Sequence, residues 1–172
     1  MSDTNSQELV LSLRDHLCSD DDSIYKIRLI LASQSPRRSE ILSMMGLQDK
    51  FEAMPSPLNE TVLQEELSKD DPVFYTRTLA EQKALALVQC LESPKCDTLI
   101  LGSDTIVALK NQILEKPESE DDAKQMLRQL QGNQHSVHTG VALVLVSKNS
   151  SSSPKLLDSF TDTASVTFAK LS

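Results

Sequence analysis

The apolar run Ile27–Ala32 leads directly into Ser33-Gln34-Ser35-Pro36-Arg37-Arg38, and few architectures accept that junction. A short strand signal meets a tight turn, and Pro36 stands where a helix would begin. Proline is pre-set for the first helical position, and Ser35 before it suits the N-cap. A strand that turns straight into a helix is the first half of a βα unit, which directs the chain towards an α/β layered fold. The two arginines are the oddity. Cations in the first helical turn oppose the positive end of the macrodipole, at about 0.3–1 kcal/mol each. They make sense if an anion sits at the corner, where hydroxyls, free helix N–H groups and guanidinium forks suit phosphate. The plainer reading is a helix cap whose arginines are solvated or paired with acids elsewhere.

The rest of the chain carries the alternation onward. Helix signals cover Pro36–Met45, with Gly46 at the C-cap, and Phe51–Met54 reads as a second strand followed by a loop over Pro55–Glu60. Asp71 caps and Pro72 opens a long helix to Glu92, in which Leu79, Ala80, Ala84, Leu87, Val88 and Leu91 recur at helical spacing. Thr98–Leu109 is an apolar run broken by Gly102-Ser103-Asp104-Thr105, with a Lys110-Asn111 turn into a short return strand. A third helix starts near Ser119, with Asp122 completing a near capping box, and ends at Gly132. Val137–Val146 reads as a buried strand, and Leu156–Phe168 as its hairpin partner across a serine-rich turn. The pattern predicts an α/β domain, a mixed twisted sheet with flanking helices, over 26–172. A polar N-terminal extension, 1–25, precedes it, with Gln7–Leu17 as a short helix.

Composition narrows the function. A chain of 172 residues suits one domain with a substantial core. Twenty-five acidic against seventeen basic residues leave a net charge of −8, which opposes a nucleic-acid backbone as partner. Aromatic residues make up 3% with no Trp, too few for a base-stacking platform. Cys18, Cys90 and Cys96 are odd in number and lack paired spacing, so a reducing compartment is expected. The acidic, polar start is not a signal peptide, and no apolar stretch approaches the roughly eighteen residues of a membrane span. No membrane association is expected, and the cytoplasm is the default location.

Asp104 is the clearest candidate for chemistry. It interrupts an apolar run, and a carboxylate in such a place is usually paired, metal-bound or neutralised. It is either a general base or metal ligand on a rigid element, or a turn cap at a strand end. Lys83, Lys116 and Glu60 look ordinary alone. His135 and His138 are read as structural, sharing one strand face.

Taken together, the motifs are more specific than any one of them. Leu31-Ala32-Ser33-x-Ser35-Pro36-Arg37-Arg38, Glu40-x-Leu42, Glu60, Lys83-Ala84, Leu101-Gly102-x-Asp104-Thr105, Glu115-Lys116-Pro117 and Met126-Leu127-x-x-Leu130-x-Gly132-x-x-His135 occur in order. The set resembles the Maf family of nucleoside triphosphate pyrophosphatases, whose fold is related to that of the inosine-triphosphate pyrophosphatases. The resemblance implies hydrolysis of the link between the α- and β-phosphates with a divalent metal, Mg or Mn. By matching position, Ser33, Arg37 and Lys83 would hold phosphates, with Arg38 beside them, and Lys116 would neutralise developing charge. Asp104 would accept the proton from water, and Glu60 and Asp104 would contact the metal. Arg37 and Thr105 match positions linked to base preference, and their identities resemble the dTTP/UTP subgroup. The resemblance also implies a house-cleaning role on modified nucleotides and, as is common in the family, a homodimer. Arg37→Ala is expected to weaken triphosphate binding more than Arg38→Ala. The family pattern continues past the strand at Thr161–Phe168, whereas this chain stops at Ser172. A domain lacking its C-terminal part is therefore expected, with a non-catalytic nucleotide-binding protein as the alternative.

Overall fold

The computed structural model describes Leu17 and residues 27–92, 94–149 and 152–170. Along these residues the chain forms β1 (Arg28–Ala32), α1 (Pro36–Leu42), β2 (Glu52–Met54), α2 (Glu60–Glu66) and α3 (Pro72–Val88). It continues through β3 (Thr98–Leu109), β4 (Gln112–Leu114), α4 (Glu120–Leu130), β5 (Gln134–Val146) and β6 (Lys155–Thr167). The six strands make one mixed sheet in the order β2-β1-β3-β5-β6, with β4 paired to β3. β1 lies parallel to both β2 and β3, while β5 and β6 run antiparallel to their neighbours. The expected mixed α/β architecture is the one observed.

The core forms on both faces of this sheet. Ile30, Ala32, Ile100, Val144 and Val146 pack under Ala84 and Leu87 of α3. Leu29 and Leu31, of opposite parity on β1, pack with Leu17, Leu42 and Leu47 on the other face. Strands buried on both faces read as near-continuous apolar runs, which is why β1 and β3 stood out in the sequence. Two glycines set the distance between α3 and the sheet. A Cβ on Gly102 would collide with the Ala80 carbonyl and lie 2.9 Å from the Ala84 Cβ. A Cβ on Gly140 would collide with the Thr76 carbonyl. The helix backbone therefore rests directly on β3 and β5.

Several expected boundaries move. Asp104 does not break β3: the strand pairs with β5 without interruption from Thr98 to Ala108, Asp104 standing opposite Gly140. The loop expected to reach Glu60 ends at Asn59, whose side chain caps α2 by accepting from the Val62 N–H. That short helix buries none of its residues, so it left no apolar period to read. The first helix loses its regular turn at Leu42 and continues as a π-helical turn, Ser43–Leu47, with Gly46 at φ 84°. The long helix stops at Val88 rather than Glu92, while Asp71 caps it as expected, accepting from the N–H groups of Val73 and Phe74. Ser119 likewise accepts from the Asp122 N–H at the start of α4. His135 and His138 do not share a face. Three positions apart on a regular strand, they point to opposite sides. The expected helix Gln7–Leu17 lies outside the described residues except for Leu17, which bridges to Ile27 and is buried.

Candidate active site

The chain leaves β1 at Ala32 and visits β2 on one side of it and β3 on the other. The loop after β1 therefore opens at the point where strand order reverses, the usual position of a ligand crevice in a sheet with parallel strands. Ser33 is buried there, and its Oγ accepts from the Ser35 N–H at 3.1 Å and from Arg38 Nη1 at 2.9 Å. Ser35 occupies the N-cap of α1 without a side-chain capping bond. The second arm of the Arg38 guanidinium donates to Thr105 Oγ1 at 3.3 Å, and Thr105 in turn lies 3.3 Å from Thr139 Oγ1. Arg38 thus ties the corner to β3 and, through Thr105, to β5.

Arg37 is the less engaged of the pair. It is exposed, and among the described residues its side chain makes no hydrogen bond or ion pair. Without a ligand, then, it is Arg38 that is tied into the corner. One step along the first helical turn carries Arg38 over Ser33 and leaves Arg37 facing solvent.

On the neighbouring strand Asp104 is buried, its side chain 10% exposed, and Lys83 of α3 donates to its Oδ1 at 2.6 Å. The same ammonium lies 3.0 Å from Glu60 Oε2 at the start of α2. Gly102 makes this meeting possible. It lets α3 approach β3 closely, and Lys83 lies one helical turn beyond Ala80, the residue that Gly102 accommodates. Burial pushes the Asp104 carboxyl above the usual carboxylate range. The Lys83 ammonium pulls it back, Glu60 adds to the rise and Arg38 opposes it. A buried ion pair does little for stability, because desolvation offsets its attraction. A perturbed carboxylate on a rigid strand, beside a fixed cation, is instead a mark of function.

Two carboxylates converging on one cation also bear on metal binding. Glu60 and Asp104 present hard oxygen donors, and the position between them already holds positive charge in the form of the Lys83 ammonium. Magnesium and manganese take one or two carboxylates of this kind, filling the remainder with water and substrate phosphate. Among the described residues no three or more His, Cys, Asp or Glu side chains converge to hold an ion. The donor set fits an open site of the expected type.

Lys116 stands apart. It is exposed, makes no hydrogen bond or ion pair among the described residues, and lines a cavity of about 600 Å³ between β4 and α4. Its neighbour Glu115 lines the same cavity, and its Oε1 accepts from Tyr75 at 3.1 Å and pairs with Lys69 at 2.9 Å. Neither Tyr75 nor Thr139 was singled out in the sequence. Nothing short of the strand register and the α3 packing would have found them. His138 donates to or accepts from Thr163 Oγ1 at 2.8 Å, and burial pushes its imidazole down. His135 stacks edge-on against Phe168 with ring centroids 4.8 Å apart. Both serve as structural side chains.

The pattern of the Maf-like protein family matches residues 28–172. Over 158 residues the chain is 38% identical to a probable bifunctional dTTP/UTP pyrophosphatase/methyltransferase protein of Homo sapiens, covering 91% of this chain and 25% of that one. Over 115 residues it is 44% identical to a dTTP/UTP pyrophosphatase of Pseudoalteromonas atlantica, covering 67% of this chain and 57% of the relative. The chain belongs to the Maf family. It spans little more than half of the bacterial relative and a quarter of the human one. Among solved structures, a HAM1 protein from Coxiella burnetii is similar at a TM-score of 0.39 and 16% identity, covering 78% of this chain and 71% of that one. That likeness is too distant to bear on chemistry. No helix among the described residues is long and apolar enough to cross a membrane.

Proposed function

We propose that this chain is a nucleoside triphosphate pyrophosphatase that cleaves dTTP, UTP or their modified forms to the monophosphate and pyrophosphate. The observation that carries the reading is the Lys83–Asp104–Glu60 cluster set beside the Ser33–Arg38 corner. Membership of a family whose relatives include dTTP/UTP pyrophosphatases supports the substrate class.

Each residue takes a role that its chemistry suits. Ser33 and Arg38 bind phosphate oxygens, and Arg37, free in solution at the same corner, closes on the polyphosphate when it arrives. Fixed donors of this kind stabilise charge on the transferring group without reorganising during the step. Asp104 accepts the proton of the attacking water as its oxygen adds to phosphorus. The bond to the bridging oxygen breaks, and pyrophosphate leaves. Lys83 keeps Asp104 ionised despite its burial and offers its ammonium to the phosphates. Lys116 offsets charge on the leaving group, and Thr105 contributes to base preference. Glu60 and Asp104 hold the divalent cation, which when bound polarises the phosphate and orients water. Residues 26–172 form the catalytic domain behind the extension 1–25, and the protein works in the cytoplasm as a homodimer, without nucleic acid.

Pyrophosphate release from a panel of nucleotides with magnesium or manganese tests the reading. Turnover of dTTP or UTP, lost in Asp104→Asn with nucleotide binding kept, is the expected result. Binding without any release in the unaltered chain would favour a non-catalytic nucleotide-binding protein instead.

A further inference from the structure

Tyr75 is fully buried on α3 among Leu79, Ile106 and Ile113, with Leu63 and Leu67 against them. A phenylalanine would fill the same apolar space, so the oxygen calls for a reason. A buried hydroxyl costs stability unless it is hydrogen-bonded, and this one donates to Glu115 Oε1 at 3.1 Å. Lys69 reaches the same oxygen at 2.9 Å, but its side chain is 48% exposed, so that contact contributes little and is easily lost. The phenol is therefore the partner that fixes Glu115. We propose that Tyr75 is a positioning residue, its hydroxyl holding the Glu115 carboxylate and thereby setting the place of the Glu115-Lys116-Pro117 segment. This rests on the pyrophosphatase reading given above.

Electrostatics agree with the geometry. Burial pushes the Tyr75 phenol up, and the carboxylates of Glu115, Asp104 and Glu60 each add to the rise, so all three acids lie within range of one oxygen. The phenol stays protonated and donating across the working pH range. Lys69 and Lys83 face these three acids, and Arg38 also acts on Asp104. Glu115 adds its negative charge to the surroundings of the Glu60–Asp104 pair only while held in place.

Tyr75→Phe removes one oxygen and no packing volume. Its kcat should fall about tenfold with KM within twofold, because the interaction orients the segment and does not bind ground-state substrate. Glu115→Gln should do the same, and the double variant should be no worse than Glu115→Gln alone. Mn²⁺ binding to the nucleotide-free protein, followed by electron paramagnetic resonance, should weaken several-fold in both single variants. An unaltered kcat in Tyr75→Phe, or additive losses in the double variant, would overturn the proposal. So would Mn²⁺ affinity that neither substitution changes. Failure of the pyrophosphatase reading shows up separately, as an unaltered chain that releases no pyrophosphate from any nucleotide. The Mn²⁺ titration decides the Tyr75 question in that case too.

Discussion

At the level of single residues, Lys83 is the hinge of the site. Its ammonium opposes the rise that burial imposes on Asp104, so the acid limb of the kcat/KM profile reports on both. The general base must be ionised, and a carboxyl raised above the usual range loses activity at a higher pH than an ordinary aspartate would. Lys83→Met removes the group that favours the ionised form. The Asp104 carboxyl then rises further, and the acid limb should move up by about one pH unit or more, with turnover down roughly a hundredfold. A limb that stays put or moves down in that variant contradicts Asp104 as the base. The two arginines separate in the same way. Arg38→Ala breaks the contacts to both Ser33 and Thr105 and should raise the KM for triphosphate at least tenfold. Arg37→Ala, which removes no hydrogen bond or ion pair among the described residues, should raise it less; steady-state kinetics on the two variants check this.

For the secondary-structure elements, the close seat of α3 on the sheet is what delivers Lys83. Gly102→Ala puts a methyl group against the Ala80 carbonyl and the Ala84 Cβ, so the helix must move away from β3. Overpacking of this kind costs about 1–3 kcal/mol, and the displaced ammonium should also lower kcat. A melting curve and a kcat measured on the same preparation test both halves. Much of this layer was legible beforehand. Asp71 and Ser119 announce their helices because a short polar side chain before an apolar period has one obvious use, the orphan N–H groups of the first turn. β1 and β3 announce themselves through apolar runs, that of β3 broken only at Gly102–Thr105. What stayed hidden depended on contacts distant in sequence. Helix α2 buries no residue fully and has no period, and Asp104 looked like an interruption because the lysine that neutralises it lies 21 positions away on another element. Which arginine faces inward was equally unreadable, since neighbouring positions on one helical turn differ only by rotation. Tyr75 and Thr139 look like filler until α3 packing and the β3–β5 register bring them to their partners.

In the molecule as a whole, the outer hairpin and the inner sheet behave differently. β6 is exposed along most of its thirteen residues, with Leu156, Leu157 and Phe160 open to solvent. Charged Lys155, Asp158 and Asp162 interrupt this edge, and a net charge of −8 opposes aggregation through it at neutral pH. Near the isoelectric point of 4.8 that repulsion vanishes, and light scattering at fixed concentration should rise steeply there. Phe160→Lys should blunt the rise. β1, by contrast, has a hydrogen-bonded neighbour on each side and side chains buried on both faces. Melting that begins at the β6 edge must consume β5 and β3 before it reaches Ala32, whereas on the opposite side only the three residues of β2 cover β1. The corner that carries Ser33 and Arg38 is thus remote from the exposed hairpin, and loss of β6 should leave the grip on phosphate intact.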